Sequence, residues 1–378
     1  MKKPRRVLFC RSNPIAPDPR VDKEARALAA AGYEVSILGW DRTAGLPLQE
    51  QAAGYAIRRL PIPAAEARGL RNFPSLVRWQ WGLWRWLNAH RSEYDLIHAC
   101  DFDTVLPALW CQHLYGKRVI YDIFDFYAEM LRATPGMVKK LIRWVDFQAI
   151  RLADATIIAD DSRRAQIAGS HPRRLTVIYN CLDDQITTLT PPSDHRPEGS
   201  QLHMVYFGNL QIERGLLVLL NVLRRHPEWT LDLGGFGADK ASIQPAAQFP
   251  SVTWHGLLPY DRVLELSAAA DVLFATYNPA IPNHRYSSPN KLFEAMMLGK
   301  PIVVAQNTNM DQIVTEWECG LAIPYGDADA LEAALLRYQR EPDLRRKHGK
   351  NARRAFEQTY NWPEMQQRLL TLYAELLT

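Results

Sequence analysis

Short apolar runs alternate with amphipathic stretches along the first half of the chain. The runs rich in Val and Ile predict strands at Val7–Cys10, Glu34–Leu38, Asp95–Ala99, Arg118–Asp122 and Ala155–Ala159. Stretches with helical spacing, such as Val21–Ala31 and Val138–Leu152, separate several of these runs. This alternation favours parallel strands joined by crossover helices in an open α/β sheet.

The pattern stops near Asp183 and restarts at His203. Thr187–Ser200, between them, is rich in Pro and Ser and lacks periodicity, which is typical of an interdomain linker. The second series of strands is predicted at His203–Phe207, Thr230–Leu233, Val252–His255, Val272–Ala275 and Pro301–Ala305, with helices at Leu216–Arg225, Arg262–Ala269 and Lys291–Leu298. A last helix, Glu364–Leu377, has no following strand, so we expect it to cross back to the first domain.

We therefore predict two doubly wound, Rossmann-like domains that face a central cleft. The predicted boundaries are 1–186 for the first domain, 187–200 for the linker, 201–360 for the second domain and 361–378 for the returning helix. The length of 378 residues suits two domains, and 47% hydrophobic with 23% charged residues excludes a disordered or fibrous protein.

The cysteines and the lengths of the apolar runs indicate in which cellular compartment the protein is expected. Five scattered cysteines with no CxxC spacing argue against a disulfide framework and a structural zinc site. No apolar run reaches the roughly 18–20 residues that span a bilayer, and the basic N-terminus lacks the apolar region of a signal peptide. We expect a cytoplasmic protein.

Charge is distributed unevenly. Residues 1–190 carry 27 Lys and Arg against 20 Asp and Glu, whereas residues 191–378 carry 18 against 21. Within the basic half, Arg68–His90 interleaves four tryptophans with four arginines, and a second basic stretch holds Lys139, Lys140, Arg143 and Trp144. This composition predicts peripheral contact with an anionic membrane, although a buried helix with snorkelling arginines fits equally well. Nucleic acid fits worse, because the rest of the chain is organised around a cleft.

Tyr277–Pro301 carries the strongest candidate chemistry. A polar loop leads into a helix that opens near Asn290, and the free N–H groups of a helix's first turn bind anions. Lys291 adds a positive charge there, and Glu294 shares its face at i, i+3 spacing. A carboxylate behind a phosphate site is suited to the hydroxyls of a ribose. The alternative is an ordinary capped helix with a surface Lys–Glu pair.

Tyr206–Gly215 is the second candidate segment. A strand ends at Phe207, Gly208 permits a tight turn, and Arg214 precedes the next helix. The guanidinium fork is suited to clamping phosphate oxygens, whereas an isolated Arg is more often a solvated surface residue.

Both segments, in this order, resemble the nucleotide-binding domain of retaining glycosyltransferases with the GT-B fold, particularly family 4. The family's G-x-L-x-x-x-[KR]-G is matched by Gly208, Leu210, Arg214 and Gly215, and its helix pattern by Leu292, Glu294, Ala295, Met296, Gly299 and Pro301. His255–Phe274, Gly320–Leu335 and Ile178–Asp184 are also similar to family segments. In the first domain the family resemblance rests on Arg11–Leu28 and Tyr121–Met130.

This chain departs from the family at three positions. Tyr286 stands where the family often has a glutamate eight residues before Glu294, and Asn209 stands where it often has an Arg. Phe124 takes the place of a His, with Asp125 at the adjoining acidic position.

The resemblance implies transfer of a hexose from a UDP- or GDP-sugar to a hydroxyl of a saccharide or lipid-linked saccharide, with retention of configuration. A polyprenyl-linked acceptor in bacterial surface polysaccharide synthesis is expected. Catalysis is assigned to Arg214, Lys291, Asp125 and Asp122. Donor binding is assigned to Gly208, Asn209, Arg214, Gly235, Phe236, Leu257, Tyr286, Ser288, Asn290, Lys291 and Glu294, and acceptor binding to Asn13, Arg20, His98 and Asp101. For His98, a core histidine whose hydrogen bonds are satisfied fits at least as well.

No metal or other cofactor is expected. Asp101–Asp103 reads Asp-Phe-Asp, like the metal site of the other major glycosyltransferase fold, but a helix terminus and two cations already serve the phosphates here. Gly234–Gly237 lacks the glycine spacing of a dinucleotide fingerprint and is predicted to approach the nucleotide base. Two other functions remain open: a sugar-nucleotide epimerase of the same fold, and a non-catalytic subunit that binds a nucleotide sugar.

Overall fold

The computed structural model describes residues 5–16, 18–64, 73–131, 134–189 and 201–377. The chain forms two compact units, one comprising Met1–Tyr179 with Met365–Thr378 and the other Asn180–Glu364. Residues 190–200 of the predicted linker lie outside the described residues. None of the helices in the described part of the chain is long and apolar enough to cross a membrane.

The first unit is built on one sheet. Its strands are β1 (Arg6–Arg11), β2 (Glu34–Asp41), β3 (Gln49–Gln51), β4 (Tyr55–Pro61), β5 (Leu96–Cys100), β6 (Arg118–Ile123), β7 (Ala155–Ile158) and β8 (Leu175–Val177). In the described residues the strand order is β3-β4-β2-β1-β5-β6-β7-β8, and only the β3–β4 pair is antiparallel. The interior of β1, Val7–Cys10, is fully buried because helices cover both faces of a parallel sheet.

The helices of the first unit are α1 (Pro19–Ala30), α2 (Phe73–Ala89), α3 (Phe102–Tyr115), α4 (Tyr127–Met130), α5 (Gly136–Leu152) and α6 (Arg163–Gln166). Helix α1 begins where Asp18 caps the N–H of Val21, with Pro19 in the first turn. Its buried face repeats at Val21, Ala25 and Leu28, the spacing of an amphipathic helix. From Met365 onward the last helix, α15 (Trp362–Leu377), belongs to this unit.

The second unit holds a fully parallel sheet in the order β11-β10-β9-β12-β13-β14. Its strands are β9 (His203–Asn209), β10 (Thr230–Phe236), β11 (Val252–Gly256), β12 (Val272–Ala275), β13 (Ile302–Ala305) and β14 (Gly320–Ile323). Its helices are α7 (Leu216–Arg225), α8 (Lys240–Ala246), α9 (Tyr260–Ala269), α10 (Pro282–Arg285), α11 (Asn290–Met297), α12 (Asn309–Glu316), α13 (Ala328–Arg340) and α14 (Pro342–Gln358), with a 3-10 turn at Ile212–Arg214.

Packing fixes α11 against this sheet. Leu292, Phe293 and Met296 are completely buried, and full burial of such a side chain stabilises by roughly 1.5–3 kcal/mol. On the sheet's other face, Leu223 of α7 and Leu233 of β10 join a separate buried cluster. The first turn of α11 is thus held rigidly.

The prediction of two Rossmann-like α/β domains is confirmed. Sequence reasoning missed β4, because Arg58 and Arg59 interrupt its apolar pattern. Arg59 is only 4% exposed, and its guanidinium donates to the carbonyl oxygens of Pro14 and Pro47 and to Glu50. Because these hydrogen bonds satisfy its guanidinium, Arg59 can lie in a buried strand. Such a strand has no continuous apolar pattern from which it could be predicted.

Candidate active site

The carboxyl edge of the second unit's sheet carries most of the residues predicted to bind a donor. Gly208 and Asn209 are the last two residues of β9, Gly235 and Phe236 are the last two of β10, and Leu257 follows β11. Because the strands run parallel, their carboxyl ends meet at one edge, where ligands of such sheets bind. Phe236 is 62% exposed and Leu257 74% exposed, so this edge includes open apolar surface.

Two glycines bring the ends of β9 and β10 together. Gly208 has φ +139° and Gly235 φ +133°, conformations that residues with a Cβ rarely adopt. A Cβ on Gly235 would overlap the carbonyl oxygen of Gly208, and one on Gly208 would lie 2.5 Å from Lys291 Nζ. The close approach of Lys291 to β9 therefore requires glycine at position 208.

Lys291 lies in the first turn of α11, against the end of β9. Its Nζ donates to the carbonyl oxygen of Phe207 and lies 4.4 Å from the centroid of the Tyr206 ring. Burial lowers the pKa of Lys291, and the carboxylate of Glu294 opposes that shift. The amine rests on a carbonyl oxygen and a ring, contacts that phosphate oxygens are able to replace.

The start of α11 is open. Pro289 precedes the helix and makes no side-chain capping bond, and in the first turn the N–H of Leu292 donates to the Pro289 carbonyl oxygen at 3.0 Å. Its N–H groups therefore retain the positive partial charge that attracts anions. Asn290 accepts a hydrogen bond from the side chain of Asn180 at 2.7 Å, while Tyr286 and Ser288 lie half-buried in the loop before it.

Arg214 ends the 3-10 turn and stacks on an aromatic ring. Its guanidinium carbon lies 3.6 Å from the centroid of the Tyr277 ring. Its Nε is buried and has no hydrogen-bond partner among the described residues. Gly215, at φ +74°, packs so tightly that a Cβ would overlap Oγ1 of Thr276. A buried N–H without a partner is costly, and a bound anion would satisfy it.

Glu294 lies one turn beyond Lys291 and is 7% exposed. Its Oε1 accepts a hydrogen bond from the hydroxyl of Tyr260 at 3.0 Å. Burial raises the pKa of Glu294, and Lys291 and the Tyr260 hydroxyl lower it. The structure thus brings Gly208, Lys291 and Glu294 together around the end of β9.

Sequence reasoning missed three tyrosines of this site. Lys291 lies over the ring of Tyr206, and Arg214 stacks on the ring of Tyr277. The hydroxyl of Tyr260 donates a hydrogen bond to Glu294. Each lies within or beside a segment that attracted attention, but the contacts join residues far apart in the chain. Only the fold reveals them.

A second polar network occupies the carboxyl edge of the first unit's sheet. Arg11 pairs with Asp101 and, at 2.9 Å, with Asp18, which also accepts from Asn13 at 2.7 Å. Asp101 has φ +65°, and its Oδ1 accepts from the backbone N–H of Phe124 at 2.9 Å. Burial raises the pKa of Asp101 to about 6, against the opposing effect of Arg11. The predicted acceptor residues Asn13 and Asp101 share this network.

Arg20, His98 and Asp122 lie in the interior. Arg20 is 6% exposed and contacts Asp122 at 3.0 Å and Glu24 at 3.3 Å. His98 is completely buried, with Nδ1 2.7 Å from the Tyr373 hydroxyl and Nε2 3.3 Å from Asp122. Burial raises the pKa of Glu24 to about 7, and Arg20 opposes that shift.

This burial corrects three predictions. Arg20 and His98 were expected to bind the acceptor and Asp122 to take part in catalysis, but all three side chains are buried and Asp122 contacts both of the others. His98 fits the alternative of a core histidine with satisfied hydrogen bonds. The strand pattern indicates that a residue lies near a strand end, not whether its side chain reaches the surface. Of the two carboxylates predicted for catalysis, Asp125 is exposed and pairs with Arg163 at 2.9 Å.

Phe124, at the position of the family's His, joins both networks. Its ring lies 4.1 Å from the guanidinium carbon of Arg11 and 4.5 Å from that of Arg20. The ring therefore ties the edge network to the interior one through two cation–π contacts.

One group in the described residues has the spacing of metal ligands: Glu24, His98 and Asp122 offer atoms within 4.8 Å of one another. The guanidinium of Arg20 contacts both carboxylates and already supplies a positive charge there. The two carboxylates of Asp-Phe-Asp have different surroundings, because Asp101 pairs with Arg11 whereas Asp103 is buried beside Trp79, whose indole N–H donates to its backbone oxygen at 2.9 Å.

Comparisons with known proteins cover nearly the whole chain. Residues 17–181 match the family model described as glycosyl transferase 4-like domain, and residues 192–355 match glycosyl transferases group 1. No curated protein sequence gives a significant match.

Solved structures are similar over their full length. Sucrose-phosphate synthase from Thermosynechococcus elongatus is 18% identical with a TM-score of 0.80, covering 98% of this chain and 99% of its own. HepE from Anabaena in complex with UDP-glucose is 16% identical with a TM-score of 0.69, covering 98% and 100%. The lipopolysaccharide outer core galactosyltransferase WaaB is 15% identical with a TM-score of 0.65, covering 98% and 100%. This similarity confirms the predicted GT-B fold class.

Proposed function

The chain belongs to the group 1, family 4-like glycosyltransferases, and from that premise we propose that it moves a hexose from a UDP- or GDP-sugar to a hydroxyl of a saccharide or lipid-linked saccharide, with retention of configuration. The second unit binds the donor in this proposal. The first unit contributes the acceptor-side residues.

One observation carries the proposal: two cations rest on aromatic rings beside an uncapped helix terminus. Arg214 stacks on Tyr277 and Lys291 lies over Tyr206, while Pro289 precedes α11 without a side-chain cap. At this one edge of the sheet, a guanidinium fork, an ammonium group and backbone N–H donors are therefore available to bind a diphosphate. Glu294, one turn behind, accepts the ribose hydroxyls in this arrangement.

The proposed reaction breaks the bond between the sugar's C1 and the phosphate oxygen. The acceptor oxygen bonds to C1 from the same face, and its proton passes to the leaving phosphate oxygen. Arg214, Lys291 and the α11 terminus stabilise the charge that develops on the diphosphate. Family resemblance supports this front-face course, which demands neither a carboxylate nucleophile nor a metal. In this proposal the exposed Asp125 is the first-unit residue that takes part in catalysis, on the side of the acceptor.

We further propose that the acceptor is lipid-linked, in synthesis of a surface polysaccharide at the inner face of the plasma membrane. The similarity to WaaB, a lipopolysaccharide galactosyltransferase, supports an acceptor of this kind. HepE, solved with UDP-glucose, supports a uridine nucleotide as the first donor to test.

A thermal-shift screen against UDP-, GDP-, ADP- and CDP-sugars tests the donor. The matching nucleotide sugar should raise Tm, and Glu294→Gln, which keeps the size of the side chain and its acceptor oxygen, should reduce that shift while its ligand-free Tm stays near that of the unmodified protein. Arg262→Ala, on the exposed surface of α9, is the matched control and should keep the shift.

A donor-only incubation distinguishes the other functions. Conversion of the sugar nucleotide without an acceptor would identify an epimerase, and binding without turnover across saccharide acceptors would identify a binding subunit. Absence of any shift with all four nucleotides would overturn the donor proposal.

A further inference from the structure

Exposed apolar side chains are concentrated on three neighbouring helices of the first unit. Of the seventeen large hydrophobic residues exposed in the described part of the chain, ten lie on α2, α3 and α5. The most exposed are Met137 (85%), Phe73 (62%), Leu141 (61%) and Trp144 (60%). A concentration of this kind marks an interaction surface rather than the scattered apolar residues of an ordinary exterior.

Helices α2 and α5 each carry apolar residues on a buried side and on an exposed side. On α2, Trp79, Leu83 and Leu87 are buried, whereas Phe73, Val77 and Trp81 repeat at four-residue spacing on the exposed side. Helix α5 repeats the arrangement with Met137, Leu141 and Trp144 outside and Ala149 and Ile150 inside. One side serves the core, so the second requires another partner.

Every exposed charge on these three helices is positive. Arg78 and Arg85 lie on α2, and Lys140 and Arg151 on α5. The carboxylates that the three helices carry, Asp103 and Asp146, are both buried, and Asp146 accepts a hydrogen bond from the Tyr121 hydroxyl at 2.6 Å. Basic and apolar residues without exposed acids complement a surface of anionic headgroups over acyl chains.

The surface is continuous across the helices. Trp84 of α2 stacks on Trp81 at 4.9 Å and meets Trp110 of α3 edge-on at 6.3 Å. Beside α3 lies a groove of about 570 Å³, which is lined by five residues of α3, among them Trp110, and by Leu152 at the end of α5. Arg118 and Arg173 also line the groove, and both pair with Asp154, at 3.0 and 3.8 Å.

We propose that this surface, formed by the exposed faces of α2, α3 and α5, docks the first unit on a bilayer of anionic phospholipid. The inference rests on the proposed lipid-linked acceptor and identifies the surface that would keep the enzyme beside it. Helix α3 and the groove add to what the tryptophan and arginine pattern of α2 predicts. Arg68 and Arg71 of that pattern lie outside the described residues.

Vesicle flotation tests the proposal. The full chain should float with phosphatidylcholine vesicles that contain phosphatidylglycerol, float poorly with phosphatidylcholine alone, and lose binding as salt rises. The combined variant Arg78→Gln, Arg85→Gln, Lys140→Gln and Arg151→Gln should bind at least about a hundredfold more weakly, since each cation near an anionic surface contributes roughly fivefold. Trp81→Ser with Trp144→Ser should lower binding to both kinds of vesicle.

The matched control variant carries Arg26→Gln, Arg164→Gln and Leu48→Ser, exposed residues of the same unit outside the three helices. It should float like the unmodified protein. Equal flotation of control and surface variants, or no flotation of the unmodified protein, would overturn the proposal. So would a dimer in light scattering that the tryptophan variant dissociates, because a second copy would then occupy the surface.

The Tm shift with sugar nucleotides separates this proposal from the enzymatic one. Surface variants that lose flotation but keep the shift support the docking surface. A protein that floats but responds to no sugar nucleotide would retain the docking surface and overturn the proposed donor.

Discussion

The polar groups near the two sheet edges differ in what balances their charge. In the first unit, Arg11 pairs with Asp101 and Asp18, and Arg20 pairs with Asp122. In the second unit, Arg214 stacks on Tyr277, and Lys291 lies over Tyr206. Arg11 and Arg20 also lie over a ring, that of Phe124, but their carboxylate partners already neutralise them, whereas Arg214 and Lys291 keep positive charge with which to bind an anion. The difference indicates that the buried ion pairs of the first unit stabilise its fold, whereas the cations of the second unit are suited to binding an anion.

Energetics sharpens this difference. Removing one member of a buried ion pair leaves an uncompensated charge and costs roughly 3–5 kcal/mol. A cation–π contact contributes roughly 0.5–2 kcal/mol and does not neutralise the cation, so a guanidinium held on its ring can still bind a diphosphate through its N–H groups. Variants in the first unit should therefore change folding stability, and variants in the second should change ligand binding.

The largest expected effect is that of Asp122→Ala. It leaves Arg20 buried without its carboxylate partner and removes a contact of His98, so the free energy of unfolding should fall by roughly 3–5 kcal/mol. Urea unfolding measures this change. Asp161→Ala, whose carboxylate pairs with exposed Arg164 on the surface of the same unit, should change it by less than about 1 kcal/mol.

A stable, folded Asp122→Ala protein with lost turnover would reverse the comparison. The buried aspartate would then act directly in the reaction, and the first unit's network would be part of the chemistry rather than its support.

Arg214→Ala should have the next largest effect, on catalysis instead of stability. Loss of one donor to the developing charge lowers kcat by roughly 10²–10³-fold. Steady-state kinetics with the matching donor measures it, and the free energy of unfolding should change by no more than the roughly 0.5–2 kcal/mol of the lost cation–π contact. Arg225→Ala, whose side chain pairs with Asp329 and Glu332 on the surface of the same unit, is the matched control. Similar kcat values for the two variants would contradict the role of Arg214.

Much of the fold follows from the sequence, since strand runs, helical spacing and glycine turns are local signals. Lys291 and Glu294 could be placed together because i, i+3 spacing on a helix brings them to one face. The contacts of Arg214 and Lys291 with tyrosine rings could not be predicted from the sequence, because those contacts depend on the order of the strands in the sheet. Burial was equally hidden: Asp122 and Asp125 stand three positions apart, yet Asp122 is buried and Asp125 exposed.

Tyr277→Leu tests whether the ring beneath Arg214 orders the guanidinium. Loss of the cation–π contact, worth roughly 1–2 kcal/mol when desolvated, should weaken donor affinity by about 5–30-fold. Isothermal titration calorimetry measures this. Tyr277→Phe keeps the ring, so its donor affinity should stay within about threefold. Equal losses in both variants would show that the hydroxyl, not the ring, matters.

The smallest expected effect belongs to Tyr260→Phe. The variant loses the hydrogen bond to Glu294 Oε1, worth about 1 kcal/mol, so donor affinity should fall by roughly fivefold. The pH dependence carries the sharper information. Burial raises the pKa of Glu294 and the Tyr260 hydroxyl lowers it, so removing the hydroxyl should raise that pKa further.

Because the ionised carboxylate accepts the ribose hydroxyls in our proposal, affinity should decline as pH falls through the pKa of Glu294. In Tyr260→Phe that decline should begin at a higher pH than in the unmodified protein, whereas in Glu294→Gln it should vanish. A merely structural tyrosine would lower affinity equally at every pH. An unshifted profile in Tyr260→Phe would therefore remove Tyr260 from the donor site and leave the second unit's binding to Arg214, Lys291 and the α11 terminus.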